Sequence, residues 1–239
     1  MKKLSIIIPV YNEEKTIQFV LDKIKKVELI SNIKKEIILV NDASKDGSKF
    51  IIENYMNKYG NMDIHFYEHK KNMWKWASLH TWIKYATWDY IIIQDGDLEY
   101  EPQEYNLLLE LVEDWVADVV YWSRFLGKNP YKFLFFLHSR GNKLLTFMSN
   151  VFSGFRLTDM ETCYKLFRSE VIKNLNLREK RFGFEPEVTQ KISRDKSIRV
   201  CEVWISYYGR TYGEWKKIWL IDVFRAIYCI IKYWLFKAK

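Results

Sequence analysis

Asp95 and Asp97 stand one residue apart in Gln94-Asp-Gly-Asp-Leu-Glu99, directly after the apolar run Tyr90-Ile-Ile-Ile93. Alternating acids where a strand ends can aim two carboxylates at one divalent cation. Their hard oxygens suit Mg2+ or Mn2+, with substrate phosphates completing the coordination shell. A metal there would grip a diphosphate and offset charge gathering on a departing nucleotide. Glu99 is placed to add a ligand. Alone, such a pair is more often a solvated turn, so its company decides. Asp42, in Val40-Asn-Asp-Ala-Ser-Lys-Asp-Gly47, can accept hydrogen bonds from a base or a ribose. Pro9, Tyr11 and Glu13 form a wall suited to stacking on and hydrogen-bonding a flat base. Ser44 and Asp46 read as helix-capping residues.

The elements that must hold these side chains alternate in type. Apolar runs predict strands over Leu4–Val10, Glu36–Asn41, Asp63–Tyr67, Tyr90–Gln94 and Val119–Tyr121. Helical spacing predicts helices over Glu14–Lys26, Gly47–Lys58 and Trp74–Ala86, and from Pro102 to Glu113 with the proline in the first turn. The alternation implies an α/β fold, a mostly parallel central sheet with helices on both faces. Ligands of such sheets bind beyond the carboxyl ends of the strands. Tyr11-Asn-Glu13, Asn41-Asp42 and Asp95-Gly-Asp97 all fall at that edge. Past residue 125 the pattern turns helical, with helices predicted over Lys143–Phe152, Val188–Ser193 and Ile218–Lys237.

A chain of 239 residues, 49% of them hydrophobic, suits one domain and excludes a disordered protein. Cys163, Cys201 and Cys229 are odd in number and lack metal spacing, which argues against a disulfide framework and for a reducing compartment. The N-terminal apolar run is too soon interrupted for a signal peptide and reads as a first strand. Residues 164–239 hold 17 basic and 8 acidic groups, more than the whole net charge of +8. That bias points to an anionic partner: phosphorylated lipid, anionic bilayer or nucleic acid. His65, His69, His80 and His138 show no metal spacing; the first three read as incidental and His138 as structural.

At this point the chain resembles the family 2 glycosyltransferases of the GT-A fold, and within them the dolichyl- and polyprenyl-phosphate sugar transferases. The resemblance is carried by Ser5-Ile-Ile-Ile-Pro-Val-Tyr-Asn-Glu-Glu14, Val40–Gly47, Gln94–Glu99, Ser123-Arg-Phe125, Asp159-Met-Glu-Thr-Cys-Tyr-Lys165, Arg181-Phe-Gly-Phe-Glu-Pro-Glu187 and Ser206-Tyr-Tyr-Gly-Arg-Thr-Tyr212. It implies nucleotide binding by Pro9, Tyr11, Glu13, Asp42 and Asp95, and Mg2+ or Mn2+ binding by Asp95, Asp97 and Glu99. It also implies phosphate contacts by Arg124 and Arg210, which with Asp95 and Asp97 make the expected catalytic set. The expected reaction is inverting transfer of a mannose- or glucose-type sugar from a GDP- or UDP-sugar to a polyprenyl phosphate, at the cytoplasmic face of the membrane.

The residues themselves support such chemistry. A lipid phosphate is already an anion, so it needs cationic placement rather than a general base. Guanidinium groups bind phosphate bidentately, which nominates Arg124, Arg140 and Arg210, although Arg140 reads more simply as a surface residue. A sugar hydroxyl would instead need a carboxylate base, for which Asp159 and Glu161 stand out, while Glu185 is placed to orient the donor sugar. Residues 1–215 are read as the catalytic domain and 216–239 as a basic amphipathic helix. Its charges, Asp222, Arg225 and Lys232, argue against crossing a bilayer and for lying at the interface, the alternative being a helix packed on the domain. Rival readings are a transferase acting on a carbohydrate hydroxyl of the cell envelope, a nucleotidyltransferase, and a non-catalytic basic membrane or nucleic-acid binder. No nucleic-acid partner is expected on the leading one.

Tryptophan departs from the resembling family. Trp74, Trp76, Trp82, Trp88, Trp122 and Trp215 stand where its members have glycine, as do Trp115, Trp204 and Trp219. The 9 Gly and 10 Trp together approximate the ordinary glycine share of about 7%. The pattern matches UGA codons that some bacterial lineages read as glycine.

Overall fold

A computed structural model describes residues 1–75, 79, 83, 88–125, 136–179, 181–204, 206 and 220–236, with 136–139 and 220 described by backbone alone. Seven strands form one sheet: β1 (Lys3–Val10), β2 (Lys34–Asn41), β3 (Ile64–Glu68), β4 (Tyr90–Ile93), β5 (Val119–Ser123), β6 (Lys165–Arg168) and β7 (Val200–Trp204). Their order is β3-β2-β1-β4-β6-β5-β7. The first four run parallel, and β5 and β7 run parallel to each other. Only β6 is reversed against its neighbours, so the sheet is mostly parallel, as expected. Neither β6 nor β7 was anticipated. β6 has four residues with Lys165 and Arg168 at its ends, yet all four are buried.

The described helices are α1 (Ile17–Lys26), α2 (Ser48–Lys58), α3 (Tyr105–Glu113), α4 (Phe136–Ser153), α5 (Ser169–Asn174), α6 (Phe184–Ile192) and α7 (Leu220–Leu235). In α1 the apolar residues Ile17, Val20, Leu21 and Ile24 share the buried face, while Lys23, Lys25 and Lys26 end it where cations complement the helix dipole. It starts three residues later than predicted because Glu14 is spent elsewhere, its carboxylate accepting the Gly47 N–H at 2.7 Å. One apolar core packs α1, α2 and α3 on the sheet, and a second packs residues of α4, α5, α6 and α7 on it. The helix expected over Trp74–Ala86 lies largely outside the described residues.

The C-terminal helix is packed on the domain along one face, the alternative that its sequence left open. Ala226, Cys229, Ile230 and Tyr233 are buried against the domain, and buried Glu179 takes Arg225, Lys232 and Tyr233 at 2.6, 2.9 and 2.9 Å. Ile221, Phe224, Tyr228 and Leu235 remain exposed. No helix among the described residues is long and apolar enough to cross a membrane. The cysteines are free thiols.

Candidate active site at the carboxyl edge of the sheet

The loops leaving β1, β2 and β4 are tied to one another at the edge the sequence pointed to. Asn12 donates its N–H to Ser44 Oγ at 3.0 Å and accepts the Lys45 N–H at 2.8 Å. It does so from a left-handed conformation (φ 56°), which asparagine tolerates. The Glu13 and Glu14 N–H groups donate to Ser48 Oγ and Asp46 Oδ2 at 2.8 and 3.0 Å. Asp46 also accepts the Ser48 N–H at 3.0 Å, one residue before the Gly47 that caps α2, whereas Ser44 serves the β1 loop instead. The Gly96 carbonyl accepts Thr16 Oγ1–H at 2.9 Å, and a Cβ at Gly96 would come within 3.4 Å of Glu13 Cγ and the Pro9 carbonyl oxygen. Thus the Asp-Gly-Asp turn lies directly on the Pro9–Glu13 wall.

A short segment then joins the second acid to the third cluster. Asp42, buried, accepts the Met73 N–H at 2.8 Å, and two residues on, the Lys75 ammonium pairs with Asp95. Burial works against the Lys75 charge, but Asp95 beside it holds its pKa above the ordinary lysine value. Asp42 and Asp95 therefore face one three-residue stretch from opposite ends. His69 Nδ1 sits 2.8 Å from the same Asp42 oxygen, so the reading of His69 as incidental is corrected. The edge rule could have found it, since His69 directly follows the carboxyl end of β3. Asp97 accepts the Glu99 N–H at 3.2 Å, which keeps the turn closed.

Behind this edge runs a chain of buried charges. Arg124 grips fully buried Asp159 through Nε at 2.6 Å and Nη2 at 2.8 Å, and Asn142 adds a bond at 2.8 Å. Burial opposes ionisation of Asp159, yet the Arg124 charge and these bonds hold its carboxyl below the usual range. Lys165, wholly buried, pairs with Glu185 and also donates to the Met160 carbonyl at 3.3 Å. Burial keeps the Glu185 carboxyl above the usual range despite Lys165. Glu161 is pushed up to about 8 by burial and then by the Glu185 carboxylate. One oxygen each of Glu161 and Glu185 is buried without a hydrogen-bond partner.

Arg140 lies exposed on α4, and Arg210 lies outside the described residues. Among the described residues, three metal-type ligands converge elsewhere, at Glu36, Asp63 and His65. These sit near the amino ends of β2 and β3, the opposite edge, with Asp63 and His65 exposed. A cavity of about 1190 Å3 lined by Asp118, Glu170, Lys191 and Arg194 includes none of the acids at the carboxyl edge. Asp95 and Asp97 fit a Mg2+- or Mn2+-type cation by chemistry: hard oxygens in a site whose acids outnumber Lys75 and Lys165, with orphaned carboxylate oxygens behind. Few protein ligands are what such ions use when substrate phosphates supply the rest.

A sheet ordered this way, with acids at the switch from β1 to β4, is the GT-A architecture of nucleotide-sugar transferases. Among solved structures the fold matches mannosyl-3-phosphoglycerate synthase from Rubrobacter xylanophilus (TM-score 0.67, 13% identity, 98% of this chain and 73% of that one). It also matches the mannosyltransferase PcManGT from Pyrobaculum calidifontis in complex with GDP-Man and Mn2+ (TM-score 0.62, 16% identity, 96% and 69%). The chain belongs to glycosyl transferase family 2, whose family model matches residues 5–175. Its relatives include dodecaprenyl-phosphate galacturonate synthase of Rhizobium johnstonii, 23% identical over 94% of this chain and 64% of that protein. Another is dolichyl-phosphate beta-glucosyltransferase ALG5D of Trichomonas vaginalis, 27% identical over 85% and 65%. The chain thus spans just under two thirds of the length of these two relatives.

Proposed function

We propose that this protein transfers a hexose-type sugar from a nucleotide-diphosphate donor to a polyprenyl phosphate at a membrane surface. The observation that carries the reading is the Met73–Lys75 segment bonded at one end to Asp42 and at the other to Asp95, because it links along one path the two carboxylates that the reading assigns to the nucleoside and the diphosphate. The two relatives that act on dodecaprenyl and dolichyl phosphate support the acceptor class.

Asp42 holds the nucleoside against Pro9, Tyr11 and Glu13. A divalent cation at Asp95 and Asp97, Mg2+ or Mn2+, supplies charge compensation on the diphosphate when bound. Glu99 is held against Asp97 at the same turn. An acceptor phosphate oxygen attacks the anomeric carbon as its bond to the diphosphate breaks, the electron pair leaving on the nucleoside diphosphate and the configuration inverting. Arg124, aimed by Asp159, and Arg210 position the acceptor phosphate, and Glu185, fixed by Lys165, borders the sugar. Contact with the bilayer is supported by exposed apolar side chains on two adjoining helices, Leu144, Phe147 and Val151 of α4 and Ile221, Phe224 and Tyr228 of α7. Residues 1–215 are the catalytic domain and 216–239 the basic element at that cytoplasmic surface.

Labelled GDP- and UDP-sugars, offered with Mn2+ or Mg2+ and a short polyprenyl phosphate, test this. The expected product extracts into organic solvent and has the mass of a glycosyl polyprenyl phosphate. Label that stays on a water-soluble carbohydrate would contradict the acceptor and favour a hydroxyl acceptor, for which Glu161, with its raised pKa, is the base in reach of the buried cluster.

A further inference from the structure

Trp115 occupies a position built for glycine. The helix α3 ends at Glu113, Asp114 caps it, and Trp115 turns left-handed at φ 58°. The Val116 N–H donates to the Leu111 carbonyl at 3.0 Å and the Trp115 N–H to the Val112 carbonyl at 3.4 Å. This pair of bonds is the Schellman motif, whose left-handed residue is usually glycine because a Cβ there crowds the following carbonyl. The molecule offers its own control: Gly154 follows α4 at φ 77° and donates to the Asn150 carbonyl at 2.8 Å. Gly154 makes its left-handed turn with a hydrogen where Trp115 makes it with an exposed indole.

Trp74 repeats the anomaly inside the candidate site. It is left-handed at φ 73°, between the Met73 N–H on Asp42 and the Lys75 ammonium on Asp95. The other left-handed non-glycine residues among those described are the asparagines 12, 32 and 176 and the small Ser31 and Ala43; for a bulky side chain this conformation is an outlier. Trp122 is anomalous in another way. It is wholly buried in β5 with its ring centre 3.6 Å from that of Tyr164, inside the usual spacing of roughly 4.5–7 Å. Its indole N–H has no acceptor, an unmade bond that burial makes costly.

We infer that positions 74, 115 and 122 carry glycine in the protein as its own host makes it, their codons being UGA read as glycine. Trp234 remains tryptophan, since it lies on regular α7 and packs on Phe152 with ring centres 5.0 Å apart. Glycine at 74 lets the backbone between Asp42 and Asp95 approach a diphosphate closely. That consequence rests on the proposed function; the assignment at 115 and 122 does not.

Peptide mass spectrometry of the protein isolated from its host, alongside the gene's codons, tests the assignment. The expected result is glycine at 74, 115 and 122 and tryptophan at 234; UGG codons and tryptophan at 74 and 115 would overturn it. In recombinant protein, Trp115→Gly is expected to raise Tm by about 2–4 °C by relieving the left-handed Cβ. A fall in Tm for Trp115→Gly would count against it. Trp74→Gly is expected to tighten nucleotide-sugar binding by about tenfold or more. Glycine found in all three positions without any donor binding by the Trp74→Gly protein would uphold the residue assignment and sink the donor reading of the loop.

Discussion

At the amino end of the sheet, Asp118 takes the Arg199 guanidinium at 2.7 and 2.9 Å and Arg168 at 3.1 Å, while Asp63 meets His65 at 2.9 Å and Lys3 at 3.4 Å. At the carboxyl end, Asp42 takes a backbone N–H and a histidine, and Asp95 a lysine from beyond the strands. Both ends hold clustered acids, and among the described residues the set of three metal-type ligands is at the amino end. What separates them is the partner. Amino-end acids are matched largely by groups on or beside the strands themselves, which fixes the fold. Carboxyl-end acids are matched by groups beyond the strand ends, the Met73 N–H and His69 at Asp42 and Lys75 at Asp95. In a parallel sheet the edge, more than the composition of the cluster, marks the site.

The comparison breaks first at Asp95 and Asp97. Asp95→Asn or Asp97→Asn is expected to cut kcat/KM by about 1000-fold, read from initial rates, with a thermal melt showing Tm nearly unchanged for Asp97→Asn and lowered for Asp95→Asn, which strips Lys75 of its carboxylate. Rates that survive both changes would leave the two edges functionally alike. Next is Arg124→Ala, expected to lower kcat/KM by about 100-fold, mainly against acceptor concentration. An unchanged acceptor KM would separate Arg124 from the acceptor.

The amino end should respond the other way. Asp118→Asn leaves Arg168 and Arg199 without their carboxylate and is expected to cost about 1–3 kcal/mol of stability, seen in denaturant melts, with kcat/KM unchanged. Arg199 beside it, with its hydrogen bonds, holds the Asp118 carboxyl below the usual range, so its contribution is present above the unfolded pKa and is lost as pH falls through the folded one. Glu161 runs in reverse and is the subtlest case. Its folded pKa, about 8, lies above the ordinary carboxylate value of 4.5, so the folded protein holds the proton longer than the unfolded chain. In metal-free protein the Glu161→Gln variant should gain stability relative to the parent as pH rises from about 4.5 to about 8, and level off beyond. Parallel stability curves for the two would show that Glu161 titrates normally.

Much of this was legible in the residues because the first half follows simple rules. Continuous apolar runs fixed β1, β2 and β4, and acids just past them fell at one edge. The second half hides its elements. β6 begins with Lys165 and ends with Arg168, charges that ordinarily mark a loop, and only partners distant in sequence, Glu185 and Asp118, make them tolerable inside. β7 carries Glu202, which accepts the Thr158 and Asp159 N–H groups at 2.9 and 3.0 Å. The bidentate hold of Asp159 on Arg124 joins residues 35 apart, so spacing could nominate each without showing the pair. Helix starts were misplaced where an expected first-turn acid served another loop, as Glu14 does at Gly47.

The most direct test of the central claim is calorimetric binding of GDP- and UDP-sugars to the full chain, in its Trp74 and Trp74→Gly forms, with Mn2+ and then with EDTA. The account predicts binding by at least the Trp74→Gly form that disappears on chelation and in Asp95→Asn. Binding by neither form, or binding that chelation and Asp95→Asn leave intact, would contradict it.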